Sequence, residues 1–557
     1  MSPNRHHRGV VLASALAIFA AASLLPVAHA ATGKSPALCG SNDTPETGIQ
    51  GDIPRADQLS GRAQQGYNCG LAVVGQDTLS GQAASDLAWS GHCAFVQLSG
   101  GGVSVVDVSD PTNPITTTTL ATGGQAENVY AVTTADRALL VAARAPTGSA
   151  SPGTVFGGTS PVPVDVYDVK ADCAHPVKLG AVEFPGNVHN IEMDPSGTHV
   201  YASMPLQQAD ITNVADPSTW AVRNFQCDIG AQVEPALYPR AGAVDLSQAP
   251  CDAWPKGVVA GPSQISHEFE FNGSGTRMYI GDQNPYPFEQ ALHLVDMTVW
   301  PPRVVSTLSH IDGSTGGHAI RRVRIGGHPY LLNSNETAVI GVAASTPTGI
   351  RQKRGVPAVA NMANPGGIAA NGCVPEHANP YLGTAQAWLT DIGDEREPKT
   401  VSQLTLAINN PANCAAQAQS GVNSTVHYEG VDNPDHTRFV MLPTKNAGLR
   451  VFDVSDPTAP TEVAYFNAGQ YRSSDGTTVL DRARMHTYYD ASTGHIWLTT
   501  ETGGFWVLEL EPQVRHELRL PVSPALYPTG RAAKPGAPAS AAVPVATANS
   551  ARNPYFC

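Results

Sequence analysis

One ten-residue pattern occurs twice in this 557-residue chain, as "VVDVSDPTNP" at 105–114 and as "VFDVSDPTAP" at 451–460. Looser copies share an apolar pair, an Asp or Asn and polar turn residues: "VYDVKADCAHP" from Val166, "ITNVADPS" from Ile211, "LVDMTVWPP" from Leu294 and "LTDIGDEREP" from Leu389. Apolar alternation followed by Asp and Pro predicts a strand that enters a tight turn, because Pro fixes φ and Asp bonds the nearby backbone. The repetition predicts an array of one supersecondary unit.

A second recurring strand precedes each of these turns. The clearest copies begin with histidine: "HNIEMDPSGTHVYAS" from His189, "HEFEFNGSGTRMYIG" from His267, "HAIRRVRIGGHPYLL" from His318, "HYEGVDNPDHTRFVM" from His427 and "HTYYDASTGHIWLTT" from His486. Two further units begin near Ala88 and Asn128. Seven units of about four short strands predict an all-β, seven-bladed β-propeller, which closes radially and shelters its sheet edges.

The last unit, from His486, contains three strands and lacks a fourth. An unassigned strand, "YNCGLAVVGQDTL" at 67–79, precedes the first unit. We expect its Gly70–Thr78 portion to complete the last blade, so that the two chain ends close the ring and no sheet edge is left open.

The Asp-Pro turns at 105–114 and 451–460 resemble those of the LVIVD-repeat family of secreted bacterial β-propeller proteins. The resemblance extends over roughly residues 67–512. It implies a seven-bladed propeller, and it implies little about chemistry because the family is defined by the repeat alone.

The chain is divided into four predicted segments. Residues 1–30 carry Arg5 and Arg8, an apolar run and a small-residue cleavage site, which indicates a signal peptide and a secreted or periplasmic protein. An N-terminal extension occupies 31–66, the propeller with long loop insertions 67–520, and a Pro/Ala-rich tail, predicted to be disordered, 521–557.

The composition restricts the partners. The formal net charge is −14 and no basic cluster is present, which argues against nucleic acid. No stretch after the signal peptide is apolar for long enough to span a membrane. We expect a monomer that acts on a small-molecule substrate.

Nine cysteines in an exported chain indicate disulfides with one thiol left over. Cys227 and Cys251 bracket one insertion and form the first predicted pair. Cys69–Cys93 and Cys373–Cys414 are weaker pairings, since spacing does not determine connectivity.

The five histidines that begin the units stand in one register. Each precedes the Gly or Asp of the following turn by eight residues. The innermost strand of a propeller blade lines the central channel, so equivalent positions face the axis at one level. Imidazole is a common ligand of transition metals. We therefore predict that His189, His267, His318, His427 and His486 bind a transition metal ion, with copper favoured over iron or zinc.

Acidic residues follow these histidines. Glu429 shares the face of His427 by strand alternation and is the predicted general base. Glu192 and Glu270 are predicted to orient neighbouring imidazoles. Their alternative role is to form ion pairs between blades with Arg321, Arg322 or Arg324.

Two classes of function follow. The favoured hypothesis is a metal-dependent oxidoreductase, because a nitrogen ligand set with an open position can activate dioxygen or a substrate. The alternative is a non-catalytic extracellular binding propeller in which the histidine ring is structural. Blades one and two offer no matching histidine, which leaves the ring open on that side.

Overall fold

The structure is a computed structural model that describes residues 35–121, 129–144, 161–185, 188–203, 206–225, 228–229, 232, 266–283, 290–309, 317–334, 387–410, 413–422, 424–472 and 478–520. The predicted signal peptide at 1–30 and the predicted tail at 521–557 lie outside these residues. Among the helices that are described, none is long and apolar enough to cross a membrane.

Within the described residues, thirty-one strands form the body of the protein. Two precede the first blade: β1 (Tyr67–Cys69) and β2 (Leu71–Asp77). The first and second blades contain β3 (Ala84–Ser90), β4 (Cys93–Leu98), β5 (Val103–Asp107), β6 (Ile115–Leu120), β7 (Val129–Thr133), β8 (Ala138–Ala143), β9 (Val162–Asp168) and β10 (Val177–Phe184). The third and fourth contain β11 (Ile191–Met193), β12 (His199–Ala202), β13 (Gln207–Asp210), β14 (Ala221–Asn224), β15 (Glu268–Phe271), β16 (Arg277–Gln283), β17 (Gln290–Asp296) and β18 (Arg303–Ser309).

The fifth and sixth blades contain β19 (Ile320–Ile325), β20 (His328–Ser334), β21 (Ala387–Asp391), β22 (Lys399–Leu404), β23 (Gly430–Val431), β24 (Phe439–Pro443), β25 (Leu449–Asp453) and β26 (Thr461–Asn467). A hairpin and the seventh blade follow, with β27 (Gln470–Arg472), β28 (Thr478–Leu480), β29 (Tyr488–Asp490), β30 (His495–Thr500) and β31 (Gly504–Leu510). The described helices are short: α1 (Arg55–Ser60), α2 (Cys414–Ser420), α3 (Pro512–Glu517) and 3-10 turns at Arg62–Gln65, Leu79–Gly81, Pro217–Thr219 and Ala407–Asn409.

Seven antiparallel sheets follow one another in chain order and form the blades. Inner strands of adjacent blades contact each other, as β3 does with β7, β7 with β11, β15 with β19, β19 with β23 and β23 with β29. The contact between β3 and β30 joins the first blade to the last. The prediction of an all-β, seven-bladed β-propeller is confirmed.

The N-terminal strand completes the last blade, as predicted. β2 pairs antiparallel with β31, from Leu71 opposite Leu510 to Asp77 opposite Phe505. The sequence 67–79 nevertheless forms two strands, because Gly70 adopts a φ of +68° between them. β1 therefore pairs with β26 and gives the sixth blade a fifth strand.

The repeated ten-residue stretch forms the turn between the third and fourth strands of a blade. In the first copy, the side chain of Asp107 accepts a hydrogen bond from the amide of Ser109 at 2.8 Å. Asp110 accepts one from the amide of Thr112 at 3.0 Å. Equivalent bonds of 2.7 and 2.9 Å recur within 453–458. Each aspartate thus satisfies the backbone amide two residues later, which explains why the motif recurs.

Two disulfides connect described cysteines, Cys39–Cys69 and Cys93–Cys173. The predicted Cys69–Cys93 bond is wrong, because Cys69 is bonded to Cys39 and Cys93 to Cys173. Cys69 ends β1 on the sixth blade, whereas Cys93 begins β4 in the first blade. The predicted pairs Cys227–Cys251 and Cys373–Cys414 involve residues outside the described part of the chain.

The antiparallel order gives each blade two distinct ends. Inner strands start at one end, which we call the connection end, and the Asp-containing turns lie at the opposite, turn end. The sequence insertions 141–163, 226–262 and 341–382 all join strand ends at the connection end, and most of their residues lie outside the described part.

Candidate functional site

The five register histidines lie at the connection end, one to three residues before the inner strands of blades three to seven. Four of them donate a backbone hydrogen bond to the end of the next strand: His189 to Ser203, His267 to Gly281, His318 to Ser334 and His427 to Pro443, at 2.7–3.2 Å. The shared backbone bond places these four side chains in equivalent positions around the axis.

Four imidazoles form a continuous row of neighbouring rings. The ring centroids are 4.2 Å apart for His189 and His267, 3.8 Å for His267 and His318, and 5.2 Å for His318 and His427. All four residues are buried. We call this group, His189, His267, His318 and His427, the histidine arc.

The shortest contact of the arc joins two ring nitrogens. Nε2 of His189 lies 2.6 Å from Nε2 of His267. Nδ1 of His267 lies 3.1 Å from the carbonyl oxygen of His318, which can only accept a hydrogen bond. Nδ1 of His267 therefore carries the proton. In neutral His267, the Nε2 lone pair faces Nε2 of His189.

Tyr428 packs against the arc. Its ring centroid lies 4.9 Å from that of His427 and 5.2 Å from that of His318. The amide of Asn190 donates to the Tyr428 hydroxyl at 3.0 Å and to the carbonyl of His267 at 2.9 Å. Asn190, in the third blade, thus connects the Tyr428 hydroxyl to the backbone of the fourth.

His486 is placed differently from the other four histidines. Tyr428 lies beside it, with ring centroids 4.5 Å apart. Its Nδ1 is 2.7 Å from Asp86 and its Nε2 is 3.0 Å from Glu268, so both nitrogens donate to carboxylates. Burial lowers the pKa of His486, but Asp86 and Glu268 outweigh it and raise the pKa to about 9. A protonated imidazole cannot bind a metal.

A layer of acidic residues around Arg321 lies further along the inner strands, towards the turn end. Nη1 of Arg321 is 2.9 Å from Glu268, 3.7 Å from Glu270 and 3.9 Å from Glu192. Glu192 and Glu270 thus form the interblade ion pairs that were the alternative to imidazole orientation. Their predicted action on the histidines stays a prediction.

Burial decides the protonation of this layer. It raises the pKa of Glu192 well above its usual range and that of Glu270 to about 7, although Arg321 lowers both. The backbone amide of Arg322 also donates to Glu270 at 3.0 Å. The three carboxylates keep the pKa of Arg321 above its ordinary value, and its guanidinium stays charged.

Glu429 is buried two residues after His427. Within the described part of the chain, neither carboxylate oxygen has a hydrogen-bond partner at normal distance. Burial, and next the charge of Glu268, raise its pKa well above the usual range. A carboxyl group with a raised pKa is a stronger base in its ionised form. The role of Glu429 as a general base stays a prediction.

The axis carries an excess of acidic side chains. Five carboxyl groups belong to Asp86, Glu192, Glu268, Glu270 and Glu429. Arg321 and His486 are the cations that contact them most closely.

Sequence reasoning missed four residues of the site. Asp86 and Glu268 bind His486, and Asn190 and Tyr428 support the arc. The inner strand of the first blade contributes Asp86, and that of the second contributes Tyr130, whose pKa is raised by burial and by Glu192. The Asn128 position lies outside the described residues. Asn190, Glu268 and Tyr428 each follow a register histidine directly in the sequence, and this adjacency was the available signal.

Two segments, 81–122 and 443–468, match the LVIVD repeat. The chain carries LVIVD repeats. Both segments contain the repeated Asp-Pro turn, so the resemblance noted in the sequence is confirmed. No curated protein matches the chain.

Two solved structures are similar to this chain at a low level. Hydrazine synthase from Kuenenia stuttgartiensis is 10% identical, with a TM-score of 0.43, over 76% of this chain and 95% of that chain. An ancestral GH74 enzyme is 9% identical, with a TM-score of 0.40, over 76% of this chain and 48% of that chain. Similarities at this level carry no argument about function.

Proposed function

We propose that the histidine arc binds one transition metal ion, with copper preferred to iron or zinc. In this proposal the LVIVD propeller is an exported metal-dependent oxidoreductase that acts on a small molecule. The observation that carries the proposal is the pair of buried Nε2 atoms of His189 and His267, 2.6 Å apart, with the opposite nitrogen of His267 fixed as a donor.

The His189–His267 pair suits a shared ion after a small adjustment. Metal–imidazole bonds of about 2.0–2.1 Å place two nitrogens of one ion roughly 3 Å apart. The pair must therefore separate by about 0.5 Å. The carbonyl of His318 holds the His267 ring in the required tautomer, which is the usual way a protein orients a metal-binding histidine.

The other members of the site have separate roles in this proposal. His318 and His427 complete the ligand set from the adjoining blades once their ring nitrogens move towards this pair. When bound, copper or iron with nitrogen ligands and an open position supplies redox chemistry. Glu429 accepts a proton from the substrate, while Asn190 and Tyr428 hold the arc. His486 serves as a structural cation between Asp86 and Glu268 rather than as a fifth ligand.

The acidic layer determines the direction from which a substrate approaches. Arg321 and its three carboxylates occupy the axis on the turn-end side of the arc. A small molecule would reach the arc from the connection end, where the long insertions leave the blades. Loops at such an end commonly determine specificity.

Metal content of the secreted protein, purified without a histidine tag, tests the proposal. We expect about one copper or iron ion per chain in the wild type and less than about a tenth of that in His267→Ala, since one ligand is removed. His436→Ala changes an exposed turn histidine and should retain the metal. Reversible reduction of the bound ion, with dioxygen uptake on reoxidation, would support the oxidoreductase assignment.

The structural alternative predicts a different result. A neutral His189 can donate its Nε2 proton to His267, and the 2.6 Å contact then is a hydrogen bond. In that case the wild type would bind no stoichiometric copper, iron or zinc, even after incubation with each ion. That result would reject the proposed metal site and favour a binding propeller.

A further inference from the structure

A second group of metal-ligand side chains lies at the turn end, away from the histidine arc. His92 lies in the turn between β3 and β4, Cys93 begins β4, and Cys173 lies in the turn between β9 and β10. One ligand atom from each of these three residues lies within 4.8 Å of the other two. The Cys93–Cys173 disulfide joins the first blade to the second.

The spacing of these atoms resembles that of a tetrahedral zinc site. Zinc bonds of about 2.3 Å to sulfur and 2.0–2.1 Å to nitrogen give a sulfur–nitrogen separation of roughly 3.5 Å. Sγ of Cys173 lies 3.6 Å from Nε2 of His92. Oδ1 of Asp107 lies 3.9 Å from the same nitrogen and offers a fourth ligand.

We propose that reduction of the Cys93–Cys173 disulfide creates a Zn²⁺ site formed by the two thiolates, His92 and Asp107. A dithiol reductant supplies two electrons and two protons and becomes a disulfide, while the Cys93–Cys173 sulfur–sulfur bond breaks to give two thiols. Zn²⁺ then displaces both thiol protons into solvent. The sulfur atoms must move apart to roughly 3.8 Å, the edge of a tetrahedron with 2.3 Å bonds.

The other disulfide is less suited to this chemistry and provides a control. Cys39 and Cys69 have Asp43 beside them and no imidazole in their group. His92, by contrast, has a side chain that is 55% exposed, so an ion can reach it from solvent.

The two states connect the same blades by different chemistry. In the oxidised protein a covalent bond joins β4 to the β9–β10 turn. In the reduced protein a zinc ion would join the same two points, so the first two blades would stay connected under reducing conditions. This proposal does not depend on the function of the histidine arc.

Cobalt titration of the folded, full-length protein tests the site, because Co²⁺ replaces Zn²⁺ and gives visible bands with thiolate ligands. The protein is reduced without oxygen, freed of reductant and titrated with Co²⁺ alone, then with Zn²⁺ as competitor. We expect one thiolate-bound ion in the reduced wild type that is absent from the oxidised protein. His92→Ala should lower the affinity for Co²⁺ at least about 100-fold. The loss of a residue that only supports a metal ligand already costs about 10–100-fold in affinity, and His92 is itself a proposed ligand.

Three variants make the result decisive. His175→Ala removes an exposed histidine from the β9–β10 turn and should leave the cobalt affinity unchanged. Cys39→Ser/Cys69→Ser should also retain the ion, whereas Cys93→Ser/Cys173→Ser should lose it. Equal cobalt binding by wild type and His92→Ala would overturn the proposal, even if the double cysteine variant failed to fold. A Cys93–Cys173 bond that opens only when the protein unfolds would overturn it as well.

Discussion

At the scale of single residues, the register of the histidines allowed their position to be predicted, but not the function of each nitrogen. His267 and His486 occupy equivalent positions in the sequence repeat. His267 donates to a carbonyl and presents a lone pair, whereas His486 donates to Asp86 and Glu268. The difference arises from residues of other blades, which the repeat does not encode.

The charge of His486 makes a testable contribution to stability. Its pKa is about 9 in the folded protein against 6.5 in the unfolded chain. A raised pKa stabilises the fold fully below pH 6.5, and this contribution is lost as the pH rises to 9. Its size is about 3 kcal/mol. We expect the stability difference between wild type and His486→Gln, from urea unfolding, to shrink steadily between pH 6 and pH 10.

A control separates this effect from general alkaline destabilisation. His436→Gln changes an exposed histidine and should leave the urea midpoint within error of wild type at each pH. If His486→Gln differs from wild type by the same free energy at pH 6 and pH 10, the ion pairs with Asp86 and Glu268 do not stabilise a charged imidazole.

Gly281 allows the backbone of the fourth blade to approach the arc. A Cβ atom at this position would lie 2.9 Å from the carbonyl oxygen of Gly317 and 3.0 Å from that of His318. Because that His318 oxygen orients His267, Gly281→Ala should weaken metal binding about 10-fold without removing a ligand. Competition with a chelator measures the change. Gly100→Ala, which meets nothing within 4 Å, should match wild type, and unchanged affinity in Gly281→Ala would contradict the account.

At the scale of strands, local patterns predicted the blades because each unit carries its own turn chemistry. Each of the aspartate–amide bonds in 107–112 and 453–458 joins two residues that are only two positions apart in the sequence. Strand alternation gives no guide where the strand has not yet begun. β15 starts at Glu268, one residue after His267, so these two side chains need not lie on opposite faces. Glu268 contacts both His486 and Arg321.

Closure by β2 gives a second prediction at this scale. Leu71 is fully buried and pairs with Leu510 of the last blade. Leu71→Ala should lower the free energy of unfolding by about 2–5 kcal/mol, because it leaves a cavity at the junction of the two chain ends. Gln76→Ala, on an exposed position of β2, should cost under about 0.5 kcal/mol. Equal effects in a thermal or urea melt would argue against closure by this strand.

At the scale of the whole molecule, the contacts that the sequence did not reveal are those between distant segments. Asp86 and His486 are 400 residues apart, and the Cys93–Cys173 bond spans 80. The extension at 31–66 carried no repeat and gave no indication of its partner. Its described part packs on the sixth blade, where Glu46 meets Arg450. Such pairings depend on how blades are arranged, and a single sequence contains no record of that arrangement.

The extension should contribute substantially to stability through Arg450. This guanidinium is fully buried and pairs with Glu46 from the extension and with Glu462 at 3.3 Å from β26. Arg450→Ala would leave two buried carboxylates without their cation, and we expect a loss of about 3–5 kcal/mol in urea unfolding. Lys399→Ala removes one member of an exposed ion pair and should cost under about 1 kcal/mol. Similar losses in both variants would contradict the structural role of the extension.

The proposed metal site can be tested directly by an anomalous-difference map from crystals of the protein, measured at the copper, iron and zinc absorption edges. We expect one strong peak on the propeller axis, about 2.0–2.2 Å from Nε2 of His189 and Nε2 of His267, with His486 still held by Asp86 and Glu268. A map without a peak, in crystals soaked with each ion and with the two Nε2 atoms still at hydrogen-bond distance, would contradict it.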